Sequence, residues 1–138
     1  MSDRTFVDTN ILVYAHDLDV TSKHAIARSV VTELWEEGRG VVSPQVLQEF
    51  YVTVTRKIAA PLPKAEARLL VRTYAPWCID VGPGEVLAAF QIEDEAKIGF
   101  WDALIVASAR KARAKRLLSE DLNAGQVIAG VEIYNPLQ

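Results

Sequence analysis

The 138-residue sequence holds a single cysteine, Cys78, and two isolated histidines, His16 and His24. One thiol can form neither an internal disulfide nor a cysteine-rich zinc site, so nothing requires an oxidising compartment. The histidines are too sparse to argue for a general base or a zinc ligand. Long apolar runs are also missing. The most apolar stretch, 103–109, is interrupted by Ser108 and falls far short of the ~20 residues that cross a bilayer. The N-terminal Met1-Ser2-Asp3-Arg4-Thr5 lacks the apolar segment of a secretory signal. A soluble, cytoplasmic protein is expected. An excess of positive charge is absent as well: 15 Lys and Arg stand against 18 Asp and Glu, a net charge of -3. Whole-domain electrostatics therefore give no grip on nucleic acid, and any such contact has to be local.

Half of the residues are hydrophobic and 24% are charged, the balance of an ordinary globular chain. The length suits one domain spanning 1–138, with no repeat, low-complexity tract or linker to divide it. Thr5-Phe6-Val7 reads as a strand that stops at the capping trio Asp8-Thr9-Asn10, ahead of a short helix over 11–15. Apolar residues at helical spacing predict a helix over 22–37, capped by Thr21 or Ser22 and stopped by Gly38. Val41-Val42 reads as a strand, and Ser43-Pro44 starts the next helix, which turns Val46, Leu47, Phe50, Tyr51 and Val54 inward. Further helices are predicted over 64–74, 85–96 and 101–114, with strands at 78–81, 117–118 and 131–134. Strands separated by helices of this length predict an α/β fold, a three-layer α/β/α arrangement around a central parallel sheet.

In open parallel sheets, ligands bind at the carboxyl ends of the strands. Asp8 follows Thr5-Phe6-Val7 and Asp121 follows Leu117-Leu118-Ser119, so two carboxylates can share one sheet edge. Taken singly, each is equally well explained as turn or capping chemistry. Asp102 lies between Phe100-Trp101 and Ala103-Leu104-Ile105-Val106, where a lone carboxylate is costly. It has to be paired from elsewhere, protonated, a helix cap or a metal ligand. Glu49 has no Lys or Arg three or four residues away to pair with it, although a solvated glutamate is the common fate of such a residue. Together, oxygen donors without cysteine or clustered histidine describe a site for a hard ion such as Mg²⁺ or Mn²⁺, and phosphodiester chemistry is its natural use.

Four segments, Phe6-Val7-Asp8-Thr9-Asn10, Ser43-Pro44-Gln45-Val46-Leu47-Gln48-Glu49-Phe50, Trp101-Asp102-Ala103-Leu104-Ile105 and Leu118-Ser119-Glu120-Asp121-Leu122-Asn123, carry a specific likeness. In order and spacing the sequence resembles the PIN-domain family, most closely its VapC-type toxins. The resemblance implies a PIN-like fold and a Mg²⁺- or Mn²⁺-dependent endoribonuclease. It further implies a homodimer that acts on RNA and is inhibited by a cognate antitoxin. It makes Asp8, Asp102 and Asp121 metal ligands and has Glu49 act directly or through water. Thr9, Asn10, Ser119 and Asn123 become supporting polar groups. The family often carries a second aspartate where this chain has Asn123.

The run Arg110-Lys111-Ala112-Arg113-Ala114-Lys115-Arg116 is read as a solvated helix end rather than a phosphate grip. Trp35, Trp77, Trp101, Phe50 and Tyr51 are read as core, and Cys78 as a small buried apolar residue in a strand. A receiver-like phosphoacceptor domain would want paired acids after the first strand and a lysine after the last, and this chain has neither. A PIN nuclease without an antitoxin shares every residue named, and a PIN-like module that only binds RNA or a partner is disfavoured by the four acids being present.

Overall fold

The computed structural model describes residues 3–138. Its centre is a five-stranded sheet in the order β2-β1-β3-β5-β4. The strands are β1 (Arg4–Val7), β2 (Gly40–Val41), β3 (Ala114–Leu118), β4 (Val127–Ile128) and β5 (Val131–Tyr134). β1 runs parallel to β2 and β3, and β3 runs parallel to β5; only β4 is antiparallel. The helices are α1 (Thr9–Tyr14), α2 (Thr21–Glu37), α3 (Pro44–Arg56), α4 (Lys64–Tyr74), α5 (Pro83–Ala96) and α6 (Phe100–Lys111). The expected α/β architecture with a central, mostly parallel sheet is what the chain adopts. None of the described helices is long and apolar enough to cross a membrane.

Burial explains why the strands sit where they do. Thr5, Phe6 and Val7 are all buried, so both faces of β1 are covered, as expected of a central parallel strand. β5 instead buries Val131 and Ile133 while Tyr134 stays exposed, the alternation of a strand with one wet face. α6 is buried continuously from Ala103 to Ala109 and lies against β3 and β5, with α5 packed on it. That makes it the central helix its apolar sequence predicted. Ser43 caps α3 by accepting a hydrogen bond from the Val46 amide, and Gly38 ends α2 in the left-handed region at φ 67°.

Several expectations need correction. α2 is capped by Val20 without a side-chain bond, and Thr21 opens the helix itself. Residues 78–81 make no strand: only Cys78 forms a bridge, to Val42, before the chain bends through Gly82-Pro83 into α5. Cys78 is accordingly half-buried. α6 stops at Lys111, because Arg113 adopts φ 57° and Ala114 already belongs to β3. β4 escaped the sequence reading. It pairs with β5 across Ala129 and Gly130, whose positive φ values of 50° and 84° close a tight turn that Ala129 does not advertise. Leu47 and Tyr51 are only partly buried. Phe50 and Trp77 are core, but Trp35 is 44% and Trp101 64% exposed. Trp35 lids the rim of the core, its ring edge-on to Tyr74 and tilted on Trp77. The basic run is divided between α6 and β3. Lys111 pairs with Glu85, Lys115 with Asp3 and Arg116 with Glu132.

Trp77 also explains a glycine in β2. A Cβ built on Gly40 would lie 2.5 Å from the Trp77 indole, closer than real contacts allow. Gly40→Ala should therefore destabilise the fold by about 1–3 kcal/mol, the range for forcing extra volume into a packed core. Gly84→Ala, where a Cβ meets nothing within 4 Å, should be close to neutral. Urea titrations of both variants check this; equal midpoints would show that Trp77 gives way freely.

Candidate active site

Parallel pairing places the site. Val7 is in register with Leu118, and the Asp8 amide donates to the Leu118 carbonyl at 3.0 Å, so β1 and β3 end at the same level. Asp8 and Ser119 are the next residues on each strand. The Ser119 hydroxyl donates to Asp8 Oδ2 at 2.8 Å and the Thr9 amide donates to Asp8 Oδ1 at 2.7 Å. Asp8 is thus the N-cap of α1 and a buried carboxylate at once. Ser119 Oγ also accepts from the Asp121 amide at 3.1 Å, which ties the loop after β3 to the same point.

The remaining acids arrive from separate elements. Glu49 lies on α3, where its Oε1 accepts from the Thr9 hydroxyl at 2.8 Å. Asp121 Oδ2 accepts from Asn10 Nδ2 at 2.9 Å. Asp102 sits in the first turn of α6, whose N-cap is Gly99, so the helix-cap explanation of Asp102 fails. Asn123, a neutral amide, makes no side-chain hydrogen bond to the four acids; its backbone carbonyl accepts from the Gln126 amide in the loop after β3.

The acids feel one another electrostatically. Burial pushes the Asp8 carboxyl up to about 6; the Ser119 and Thr9 hydrogen bonds oppose the rise, and the charges of Asp121 and Asp102 add to it. Burial also raises the Asp102 carboxyl, reinforced by Asp121 and Glu49. None of the ion pairs among the described residues involves Asp8, Glu49, Asp102 or Asp121. Nor do three acidic side chains there lie close enough to enclose an ion. Thr9 and Asn10 hold Glu49 and Asp121 by hydrogen bonds. The donor set fits a hard divalent cation: all oxygen, negatively charged, and free of any competing lysine or arginine.

Residues outside the sequence reading complete the site. Gln45, one helical turn before Glu49, donates from Nε2 towards Glu49 Oε2 and the Trp101 carbonyl at 3.5 and 3.4 Å, and its own Oε1 is buried without a partner. The i, i+4 spacing to Glu49 was the available signal. Glu120 turns away from Asp121 to accept from Tyr14 at 3.1 Å and to pair with Lys23 at 3.2 Å. A cleft of about 700 Å³ opens beside Glu49 and Asp121, lined also by Asp17, Asp19, Val52 and Lys57. His16 lies elsewhere, 2.7 Å from the Tyr74 hydroxyl, and burial pushes its imidazole down to about 4.

Residues 5–128 match the PIN domain family model. No curated protein sequence matches the chain. Among solved structures, VapBC2 from Rickettsia felis bound to a promoter DNA fragment superposes with a TM-score of 0.65 at 19% identity, covering 95% of this chain and 97% of that one. FitAcB from Neisseria gonorrhoeae gives 0.66 at 17% identity over 96% and 97%. VapC20 from Mycobacterium tuberculosis, described as a sarcin-ricin loop cleaving toxin, gives 0.63 at 17% identity over 85% and 89%.

The raised Asp8 carboxyl links pH to stability. Its folded pKa lies above its unfolded value, so its contribution is fully present below pH ~4 and is lost as pH rises through about 6. In EDTA, wild type should lose about 3 kcal/mol from this group across that window. Asp8→Asn should remove that part of the slope. Denaturation at stepped pH measures it, and identical slopes for the two proteins would mean that Asp8 titrates normally.

Proposed function

The chain belongs to the PIN-domain family, and from that membership we propose that it is a Mg²⁺- or Mn²⁺-dependent endoribonuclease, the toxin of a toxin–antitoxin pair. The observation that supports this reading is the convergence of acids on residues 8–10: Asp8 itself, Glu49 bonded to Thr9 and Asp121 bonded to Asn10, with the charge of Asp102 felt at Asp8 and none of the ion pairs among the described residues involving the four. Such a site costs stability and gives back function only if a divalent ion is bound. When bound, that ion lowers the pKa of water and neutralises phosphate oxygens, the chemistry phosphodiester hydrolysis needs.

The chain's own residues supply placement. Asp8, Asp102 and Asp121 would hold the ion, and Glu49 would orient water or complete the ligand set. Ser119 fixes the Asp8 carboxylate, Thr9 aims Glu49, and Asn10 aims Asp121. Asn123 stands farther out, as a neutral residue at the loop. Ser119, whose hydroxyl donates to Asp8, is fully buried and so cannot reach a phosphate, which favours direct attack by water over a covalent serine intermediate.

The partner reading rests on the relatives and on one surface. VapBC2 and FitAcB are related in fold, and a structure titled as a toxin–antitoxin complex from Klebsiella pneumoniae superposes over 96% of this chain at 20% identity and a TM-score of 0.64. On this chain, Leu47, Tyr51 and Val71 form an apolar groove of about 420 Å³ between α3 and α4, with Arg68 and Arg72 at its rim. The groove suits a segment with apolar residues flanked by acids, as an antitoxin would offer. One nuclease domain over 1–138, a homodimer and a cytoplasmic location complete the proposal.

Incubation of RNA with the protein in Mg²⁺ should give products with 5′-phosphate and 3′-hydroxyl ends, since water rather than the 2′-hydroxyl attacks. Excess EDTA and Asp8→Ala should each abolish cleavage, and Asp102→Asn should lower it by at least the ~10²-fold typical of losing a group that stabilises developing charge. Cyclic 2′,3′-phosphate ends, or undiminished cleavage in EDTA, would refute the mechanism.

A further inference from the structure

The cleft beside the site is a poor handle for RNA, because Asp17, Asp19, Glu49 and Asp121 line it against the single cation Lys57. Phosphate attraction cannot then supply most of the affinity, and an uncharged contact has to. Trp101 meets that need. It is 64% exposed, which is unusual for the largest apolar side chain, and it immediately precedes Asp102, so its Cα lies one peptide unit from a site residue.

The indole is held rather than free. Its ring meets Phe100 edge-on, with centroids 5.1 Å apart, and Phe100 in turn lies against Phe90 at 5.8 Å. The Trp101 carbonyl accepts from Gln45 Nε2, the amide group that also faces Glu49, so the backbone carrying the indole is tied to the acid on α3. A buried structural tryptophan would not leave most of its surface in water. A freely swinging exposed one would not be packed edge-on against a phenyl ring.

Resting on the nuclease reading above, we propose that Trp101 is the stacking platform for an unpaired nucleobase next to the scissile phosphate. It is a positioning residue for single-stranded or looped RNA. Phe100, itself packed on Phe90, meets the indole edge-on, so contact with its neighbour limits the ring's pose before the base arrives. Every base has a π-face, so the contact is tolerant of sequence and insensitive to salt. It complements an acidic cleft that binds RNA weakly by charge.

The test uses the full chain and single-stranded oligoribonucleotides, with binding read in EDTA and turnover in Mg²⁺. In EDTA, RNA should quench indole fluorescence saturably, and Trp101→Phe should lose that quenching while keeping its affinity. Trp101→Ala should weaken binding and raise KM about five- to a hundred-fold, with kcat little changed. An abasic site at one position of the RNA should reproduce the loss in wild type and add nothing in Trp101→Ala. Equal affinity and KM for Trp101→Ala and wild type would overturn the proposal. So would conversion of a dimer to monomers with RNA affinity per protomer unchanged, because the indole would then be a protein contact. RNA that quenches the indole but is never cleaved would refute the nuclease reading while supporting the platform; cleavage with wild-type KM in Trp101→Ala would do the reverse.

Discussion

The hydrogen bond from Ser119 to the buried Asp8 carboxylate fixes the end of β1 to the end of β3, and the whole acidic edge is organised from that point. A carboxylate this deep cannot be left unpaired without a large penalty. It is satisfied by one hydroxyl and one amide, neutral donors that offset only part of the cost, and its raised pKa reflects the remainder. The same serine oxygen accepts from the Asp121 amide, so one side chain sets both the first acid and the loop that carries the last. Register supplies the rest: with Val7 opposite Leu118, no slip of the β1–β3 pair could keep these groups together.

That arrangement stores repulsion. The charges of Asp121 and Asp102 raise the Asp8 carboxyl and those of Asp121 and Glu49 raise Asp102, and the neighbouring residues limit this without abolishing it. Glu120, next to Asp121 in sequence, is drawn off by Lys23 and Tyr14, which keeps a further charge out of the cluster. Lys23 is thereby committed to Glu120 and does not neutralise Asp121. None of the ion pairs among the described residues engages the four acids, and on the proposed function a cation would meet them as an all-oxygen donor set that suits a hard ion.

Strong local signals made much of this legible in the sequence. Ser43-Pro44 announced the helix that carries Glu49, and the apolar run after Asp102 announced a buried helix with a carboxylate at its start. What was missed lies where tertiary context outweighs the local pattern. Residues 78–81 alternate like a strand but form only one bridge, because Gly82-Pro83 turns the chain away. β4 is two residues long and depends on a turn made by Ala129, a residue with no preference for positive φ. Trp101 carries the same helical spacing as the core aromatics, and spacing alone cannot say that its face of α6 has no element packed over it. Glu120 acts only through Tyr14 and Lys23, distant in sequence, so a reading confined to neighbours along the chain could not assign it, whereas the i, i+4 spacing of Gln45 to Glu49 was there to be read.

On the proposed function, metal and RNA would be coupled. A net charge of -3 and a cleft with four acids facing one lysine make the metal-free surface repel phosphate. On the proposed function, an ion at the acids would lessen that repulsion beside the scissile phosphate, so it would strengthen RNA binding as well as supply the chemistry. The cations Lys111, Lys115 and Arg116 are paired with Glu85, Asp3 and Glu132 and provide no substitute. A nuclease built this way gains selectivity from its own acidity. Nucleic acid held by charge alone would be disfavoured, and a strand able to present an unpaired base to the proposed Trp101 platform would not, because stacking does not depend on the sign of the field.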